Sequence, residues 1–276
     1  MGGIYALVAV GLTLIMGVMK VINIAHGEFL MLGMYGSYFM HSLLGLDPYV
    51  SIVIILPLFF LFGCGFFRFF ISPIVSSPAS ILVFMTLGIS IFLQNLALLL
   101  FTADYRTITL EYSKIKFKLG PGVIDLPQLI AFLTSITVTF VFYWLIKYTD
   151  IGRCIRAVSQ NREASILTGV NVRRVYLFTF GIGTASVGIA GTLLSSLYFC
   201  TPSVGLVFLL TAFVVVVLGG LGNFVGALLG SFIIAMAESL GAIFIPIGLV
   251  PILKFIIFIG ILLFMPQGLF GIKQRL

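Results

Sequence analysis

Val21-Ile-Asn-Ile-Ala-His-Gly-Glu-Phe-Leu-Met-Leu-Gly33 sets Asn23, His26 and Glu28 between two apolar stretches long enough to cross a bilayer. An acid at the membrane centre costs about 2.5–3.5 kcal/mol on insertion scales, so ionisable side chains at that depth mark pathways or interior contacts. Working outward, hydrophobic residues make up 61% of the chain and charged residues 8%. The mean hydropathy is +1.27. A soluble domain carries about 25% charged residues, so this composition defines a polytopic membrane protein. The expected fold is all-α, a single transmembrane domain over residues 1–276, with no soluble domain of any size.

Apolar windows predict spans at 2–19, 29–46, 51–71, 80–101, 128–146, 175–200, 206–220, 223–243 and 248–264. The window 206–220 is short against the roughly 20 residues a crossing needs, so it is read as a tilted or broken helix. Eight or nine crossings follow. The loop 147–174 holds Lys147, Arg153, Arg156, Arg162, Arg173 and Arg174 against only Asp150 and Glu163, which makes it cytoplasmic. Alternation then puts Lys20, Arg68, Lys273 and Arg275 on the same side, and the C-terminus inside. Arg106, Lys114, Lys116 and Lys118 fall outside, offset by Asp104, Glu111 and Asp125, while Lys254 lies within a span. Nine crossings place the N-terminus outside. The net charge of +7 is thus a membrane-orientation signal rather than a nucleic-acid footprint.

No covalent or energy-handling chemistry is written in the chain. It has no G-x-x-x-x-G-K-[ST], no H-E-x-x-H and no G-x-S-x-G. His26-Gly-Glu28 is too sparse for a metal, which needs three or four ligands. Cys64, Cys154 and Cys200 are scattered thiols without C-x-x-C or metal spacing and read as small buried hydrophobes. The chain opens directly into a span without a charged n-region or A-x-A site, so no cleavable signal is expected. An enzyme is not expected. If the protein takes part in pumping, its motor is another chain.

Two regions combine glycine with broken hydrophobicity: Asn23 to Gly33, and Leu218-Gly-Gly-Leu-Gly-Asn-Phe-Val-Gly226. Paired interruptions point to a transporter site at a repeat interface, and two ordinary cytoplasmic turns would read the same way. Gln94-Asn95, about two-thirds along the fourth span, either lines a polar path or bonds between helices. If the last two helices run antiparallel, Glu238 and Lys254 lie at matching depth, either as an ion pair or with Lys254 snorkelling outward alone. The outer segment 102–127 mixes strand-like alternation with Gly120-Pro121-Gly122 and reads as a small hairpin, either a docking surface or a covered linker. In the cytoplasmic loop, Asn161 caps a predicted short helix of Arg162-Glu163-Ala164-Ser165-Ile166-Leu167, and Gly169 stops it. A capped helix with an Ile/Leu edge and flanking arginines is a compact object for a partner to grip.

Nearly the whole chain resembles the permease subunits of ABC importers for branched-chain amino acids, LivH type. The resemblance is carried by Gly3-Ile-Tyr-Ala-Leu, Gly11-Leu-Thr-Leu-Ile, the Val21–Gly33 run, Leu93-Gln-Asn-Leu-Ala-Leu and Gly152-Arg-Cys-Ile-Arg-Ala. Ala212-Phe-Val-Val-Val-Val-Leu-Gly-Gly-Leu-Gly and Pro266-Gln-Gly-Leu-Phe-Gly complete it. The Asn-x-Ala-His-Gly-Glu form is similar to the LivH subunit rather than to its LivM-type partner. The resemblance implies a multi-pass protein of a bacterial or archaeal inner membrane. It also implies a sister LivM-type permease, two ABC ATPase subunits that bind the ATP, and an extracytoplasmic substrate-binding protein; the permease itself needs no cofactor.

Glu163-Ala164-Ser165-x3-Gly169 resembles a partial Glu-Ala-Ala-x3-Gly coupling signature, with Ser165 at the third place, so Arg162 to Gly169 are the expected ATPase contacts. Asn23, His26, Glu28, Gln94 and Asn95 are the expected path or gating residues. Thr211 stands where many relatives have Lys, and the chain begins nearer its first span than they do. A urea or short-amide importer is the nearest rival, and a stand-alone secondary transporter or channel is the rival from another class.

Overall fold

The computed structural model describes residues 1–119, 122–265 and 267–270. Its helices are α1 (Gly2–Met19), α2 (His26–Leu44), α3 (Pro48–Phe66), α4 (Ala79–Phe101), α5 (Leu126–Tyr148), α6 (Asp150–Gln160), α7 (Arg162–Leu167), α8 (Val172–Leu194), α9 (Val204–Gly219), α10 (Phe224–Phe244) and α11 (Val250–Phe264). A π-helical turn, Phe67–Ile71, prolongs α3. The protein is an all-α bundle. Among the described residues, six helices are long and apolar enough to cross a membrane: α1, α3 with its extension, α4, α5, α8 and α10. α9 and α11 are shorter apolar helices, and α2 has the length but carries His26, Glu28 and His41. The nine predicted windows therefore each contain a helix. The main boundary shift is at 175–200, where the helix ends at Leu194.

Two helices form the centre. In α1 and α8, 89% of the membrane-length window is buried, against 22% in α4. They run antiparallel, since Ser186 donates to the Leu7 carbonyl at 2.6 Å while Gly183 lies against Gly11. A Cβ at Gly11 would stand 2.6 Å from the Gly183 oxygen, so that approach requires glycine. Lipid is as apolar as leucine, so helix association rests on this close packing and on interhelical hydrogen bonds. α3 packs on the far side of α8, where Phe66 stacks on Phe180 at 5.6 Å and Phe29 meets Phe66 edge-on at 5.0 Å. α10 lies against α1, and α4 hangs at the periphery.

At the outer end, β1 (Lys116–Leu119) and β2 (Gly122–Asp125) pair antiparallel with Lys116 opposite Asp125. Asp47 caps α3 by accepting from the Tyr49 N–H at 2.8 Å, and accepts from the Tyr112 hydroxyl at 2.6 Å. That bond ties the outer loop to the α2–α3 turn. Burial and the Asp47 carboxylate together hold the Tyr112 phenol above its ordinary pKa. At the inner end, Thr149 caps α6, whose Arg156 donates to the Ile146 carbonyl. Gly120 and Pro121 of the predicted hairpin, Pro266, and the C-terminal stretch with Lys273 and Arg275 lie outside the described residues.

The Leu218–Gly226 region is an ordinary turn. Gly220 and Gly222 take positive φ, and Asn223 caps α10 by accepting from the Gly226 N–H at 2.9 Å. Gly222 sits against Gly17, three residues from the Lys20 end of α1. The partner of the Asn23–Gly33 interruption lies elsewhere, in residues 195–205.

Candidate functional site

The segment after α1 does not continue along the line of that helix. It doubles back, and α2 begins beside the middle of α1, where His26 Nε2 donates to the Val8 carbonyl at 3.2 Å. Eleven residues separate Val8 from the end of α1, so at 1.5 Å per residue the non-helical segment 20–25 climbs back about 16 Å. Lys20 starts the reversal with φ of 55°. Unpaired backbone at this depth must be satisfied by protein. The Thr86 hydroxyl on α4 supplies that, accepting from the Ile24 N–H at 3.3 Å and lying 3.4 Å from the Ile22 carbonyl.

A second break mirrors the first. After α8 the chain passes through an isolated bridge in which Cys200 and Arg106 exchange backbone hydrogen bonds at 2.8 and 3.2 Å. It then dips so that α9 starts with Gly205 against Gly27. A Cβ on Gly205 would stand 2.6 Å from the Gly27 oxygen and 2.9 Å from Glu28 Oε2. The N-terminal ends of two helices thus meet at mid-depth, and neither has a side-chain cap. Such ends carry partial positive charge and unsatisfied N–H groups. Glu28, in the first turn of α2, brings a carboxylate to this junction.

Asn23, His26 and Glu28 are brought together here, all fully or almost fully buried within the chain. Glu28 Oε1 accepts from the Ser90 hydroxyl of α4 at 3.1 Å. Among the described residues, Glu28 Oε2, His26 Nδ1 and both amide atoms of Asn23 have no hydrogen-bond partner in the protein. That concentration of unpaired polar atoms in an otherwise apolar interior is unusual for a structural core.

Gln94 and Asn95 do not join them. Asn95 sits on the exposed side of α4 and donates to the Ile91 carbonyl of its own helix at 2.8 Å, while Gln94 is half-buried. α4 instead reaches the junction through Thr86 and Ser90, which reading the sequence did not single out, as it did not Gly205. Thr86 and Ser90 lie one helical turn apart on the buried face of an apolar helix, and Thr201-Pro202-Ser203 before Gly205 was the available sign of a break.

Glu238 and Lys254 lie in a separate polar group. Lys254 Nζ is 3.5 Å from Glu238 Oε1 and donates to Thr211 at 2.7 Å, while the Tyr5 hydroxyl donates to Glu238 at 2.8 Å. The Lys254 and Glu238 side chains are 7% and 16% exposed, and the network links α1, α9, α10 and α11.

In the loop between α5 and α8, Asn161 Oδ1 accepts from the Ala164 N–H at 3.0 Å and caps α7, and Gly169 follows with φ of 85°. Arg162, Glu163, Ala164 and Gly169 are exposed and Ser165 is buried, its hydroxyl donating to the Asn161 carbonyl at 2.7 Å. Ile166 and Leu167 point outward, Leu167 88% exposed. Among the described residues there is no cluster of three metal-ligating side chains.

Helices interrupted at mid-depth around buried polar groups, in a bundle of membrane-length helices, define a multi-pass membrane transport protein. Residues 1–266 match the family model described as branched-chain amino acid transport system / permease component, and the chain belongs to that family. It is a permease component, not an enzyme. It is 30% identical to the high-affinity branched-chain amino acid transport system permease protein LivH of Salmonella typhimurium, over 98% of this chain and 92% of that one. The same figures hold for BraD of Pseudomonas aeruginosa. A probable LivH of the archaeon Methanocaldococcus jannaschii is 28% identical over 98% of this chain and 89% of its own. No solved structure matches the chain.

Proposed function

We propose that this chain is one permease of an ATP-driven importer for leucine, isoleucine, valine or similar small amino acids, forming half of the translocation path. The observation that carries the reading is the mid-depth junction of α2 and α9, with Asn23, His26 and Glu28 buried around it. These residues face the chain's interior, so their role is to govern how the two broken helices and α4 move. They do not line an open wall. α4 is the element best placed to shift, since it is the least buried of the long helices; it meets α2 through Ser90–Glu28 and the packing of Phe101 on Tyr35 at 4.5 Å, and the segment before α2 through Thr86.

No ATP-binding motif occurs in the chain, so ATP binds partner subunits, and α7 with its exposed Ile166 and Leu167 is their contact. A sister permease of LivM type, two ATPases and an extracytoplasmic binding protein complete the assembly.

Uptake of radiolabelled leucine and urea into proteoliposomes holding the whole complex, with and without internal ATP, tests this. Leucine uptake that requires both ATP and the binding protein is expected. ATP-dependent urea uptake would replace the substrate, and flux without ATP or partners would overturn the reading.

A further inference from the structure

A groove of about 490 Å³ opens at the inner end of the bundle, between the π-helical end of α3 and the start of α8. Phe67, Val75 and Val172 supply apolar walls, and Ser72, Arg162 and Arg173 supply polar ones. Arg173 Nε donates to the Ser72 hydroxyl at 3.1 Å, which fixes the guanidinium at the rim and engages one of its five N–H donors. Arg162 approaches from α7, across the groove. The ion pairs among the described residues are Lys116–Asp125, Arg153–Asp150 and Lys254–Glu238, so neither arginine is paired with a carboxylate. Among the described residues no acidic side chain lines the groove, and exposed Arg68 adds to its positive field from the same π-helical turn as Phe67.

We propose that this groove binds the phosphate of an anionic phospholipid of the inner leaflet. Guanidinium groups match phosphate oxygens with paired, charge-assisted hydrogen bonds, which an ammonium cannot reproduce. Basic pockets between membrane helices on the cytoplasmic side take anionic headgroups for this reason. The apolar walls select a lipid over free phosphate, because an acyl chain running past exposed Pro73 and half-buried Val75 buries surface that inorganic phosphate leaves wet. A bound headgroup would bridge Arg162 on α7 to Arg173 on α8, fixing the short cytoplasmic helix against the membrane-spanning bundle. Binding is expected whatever solute the protein carries.

The test is lipid retention by the purified, delipidated complex, read by native mass spectrometry during titration with phosphatidylglycerol, phosphatidylcholine or inorganic phosphate. The wild type should hold one more phosphatidylglycerol per copy of this chain than Arg162→Gln/Arg173→Gln, whose affinity at that site falls at least tenfold. Val75→Trp keeps both charges but fills the groove, and should lose the same lipid. Unchanged retention in both variants would overturn the site. Phosphatidylcholine binding as tightly as phosphatidylglycerol would overturn the headgroup assignment, as would inorganic phosphate binding where phosphatidylglycerol does not.

Discussion

Gly27 and Gly205 meet backbone to backbone, and that contact sets how closely the two broken helices approach. A side chain at Gly205 would be driven into the Gly27 carbonyl 2.6 Å away, and no rotamer moves a Cβ. Gly205→Val should therefore destabilise the protein by about 1–3 kcal/mol, as overpacking does elsewhere. Gly88→Ala, on α4 with nothing within 4 Å of the added atom, should fall within about 0.5 kcal/mol of the wild type. Thermal unfolding followed with a thiol-reactive dye that reports exposure of buried Cys200 separates the two. Equal shifts would mean that the junction is not tightly packed. Asn23, His26 and Glu28 were legible because polar side chains stand out in an apolar run. Gly205 was not, because it lies in the first turn of α9 beside the apolar run Leu206 to Leu210 of the same helix. Nor was Ser90, because a hydroxyl in an apolar helix ordinarily bonds to its own backbone, as Thr137 does to Leu133.

At the scale of elements, short-range chemistry was readable wherever it is local. Asn161 and Gly169 bracket α7 as their side-chain and backbone preferences dictate. The Leu218–Gly226 turn shows the limit, because a glycine-rich turn between two helices and a glycine-rich break within the membrane look alike until depth is known. The α7 stop also makes a prediction. Gly169 holds φ of 85°, which proline, locked near −65°, cannot adopt. Glu163→Arg with Gly169→Pro should redirect the chain after α7 and reverse a charge on its exposed face. Both substitutions lie outside the membrane-spanning helices, α8 beginning at Val172, so insertion should be normal. ATPase stimulation by loaded binding protein in the reconstituted complex should drop at least tenfold, with the permease still recovered in the membrane fraction. Stimulation at the wild-type level would remove α7 from the coupling contact.

For the whole molecule, hydropathy sets the number of membrane segments but not their arrangement, because lipid and the interior of a helical bundle are equally apolar. α1 and α4 have nearly the same hydrophobic content, yet one is the central post and the other a peripheral stave. What decides between them is small-residue spacing: Gly3, Gly11 and Gly17 of α1 each touch a neighbouring helix or turn, whereas Gly88 of α4 touches none. Orientation, by contrast, is carried by charge. The structure groups Lys20, Arg68, Lys147 and the arginines of α6 to α8 at one end, and Arg106, Lys114, Lys116 and Lys118 at the other. The basic excess marks the cytoplasmic end. Cys154, partly exposed on α6, should then react with a membrane-impermeant maleimide in inside-out vesicles and not in intact spheroplasts. A Lys118→Cys substitution in a Cys154→Ser background should show the opposite pattern. Labelling of both sites from one side would mean that α5, which lies between them, does not cross the membrane. Reversal of both would keep the fold and invert it in the membrane, moving α7 to the face where no ATPase could reach it.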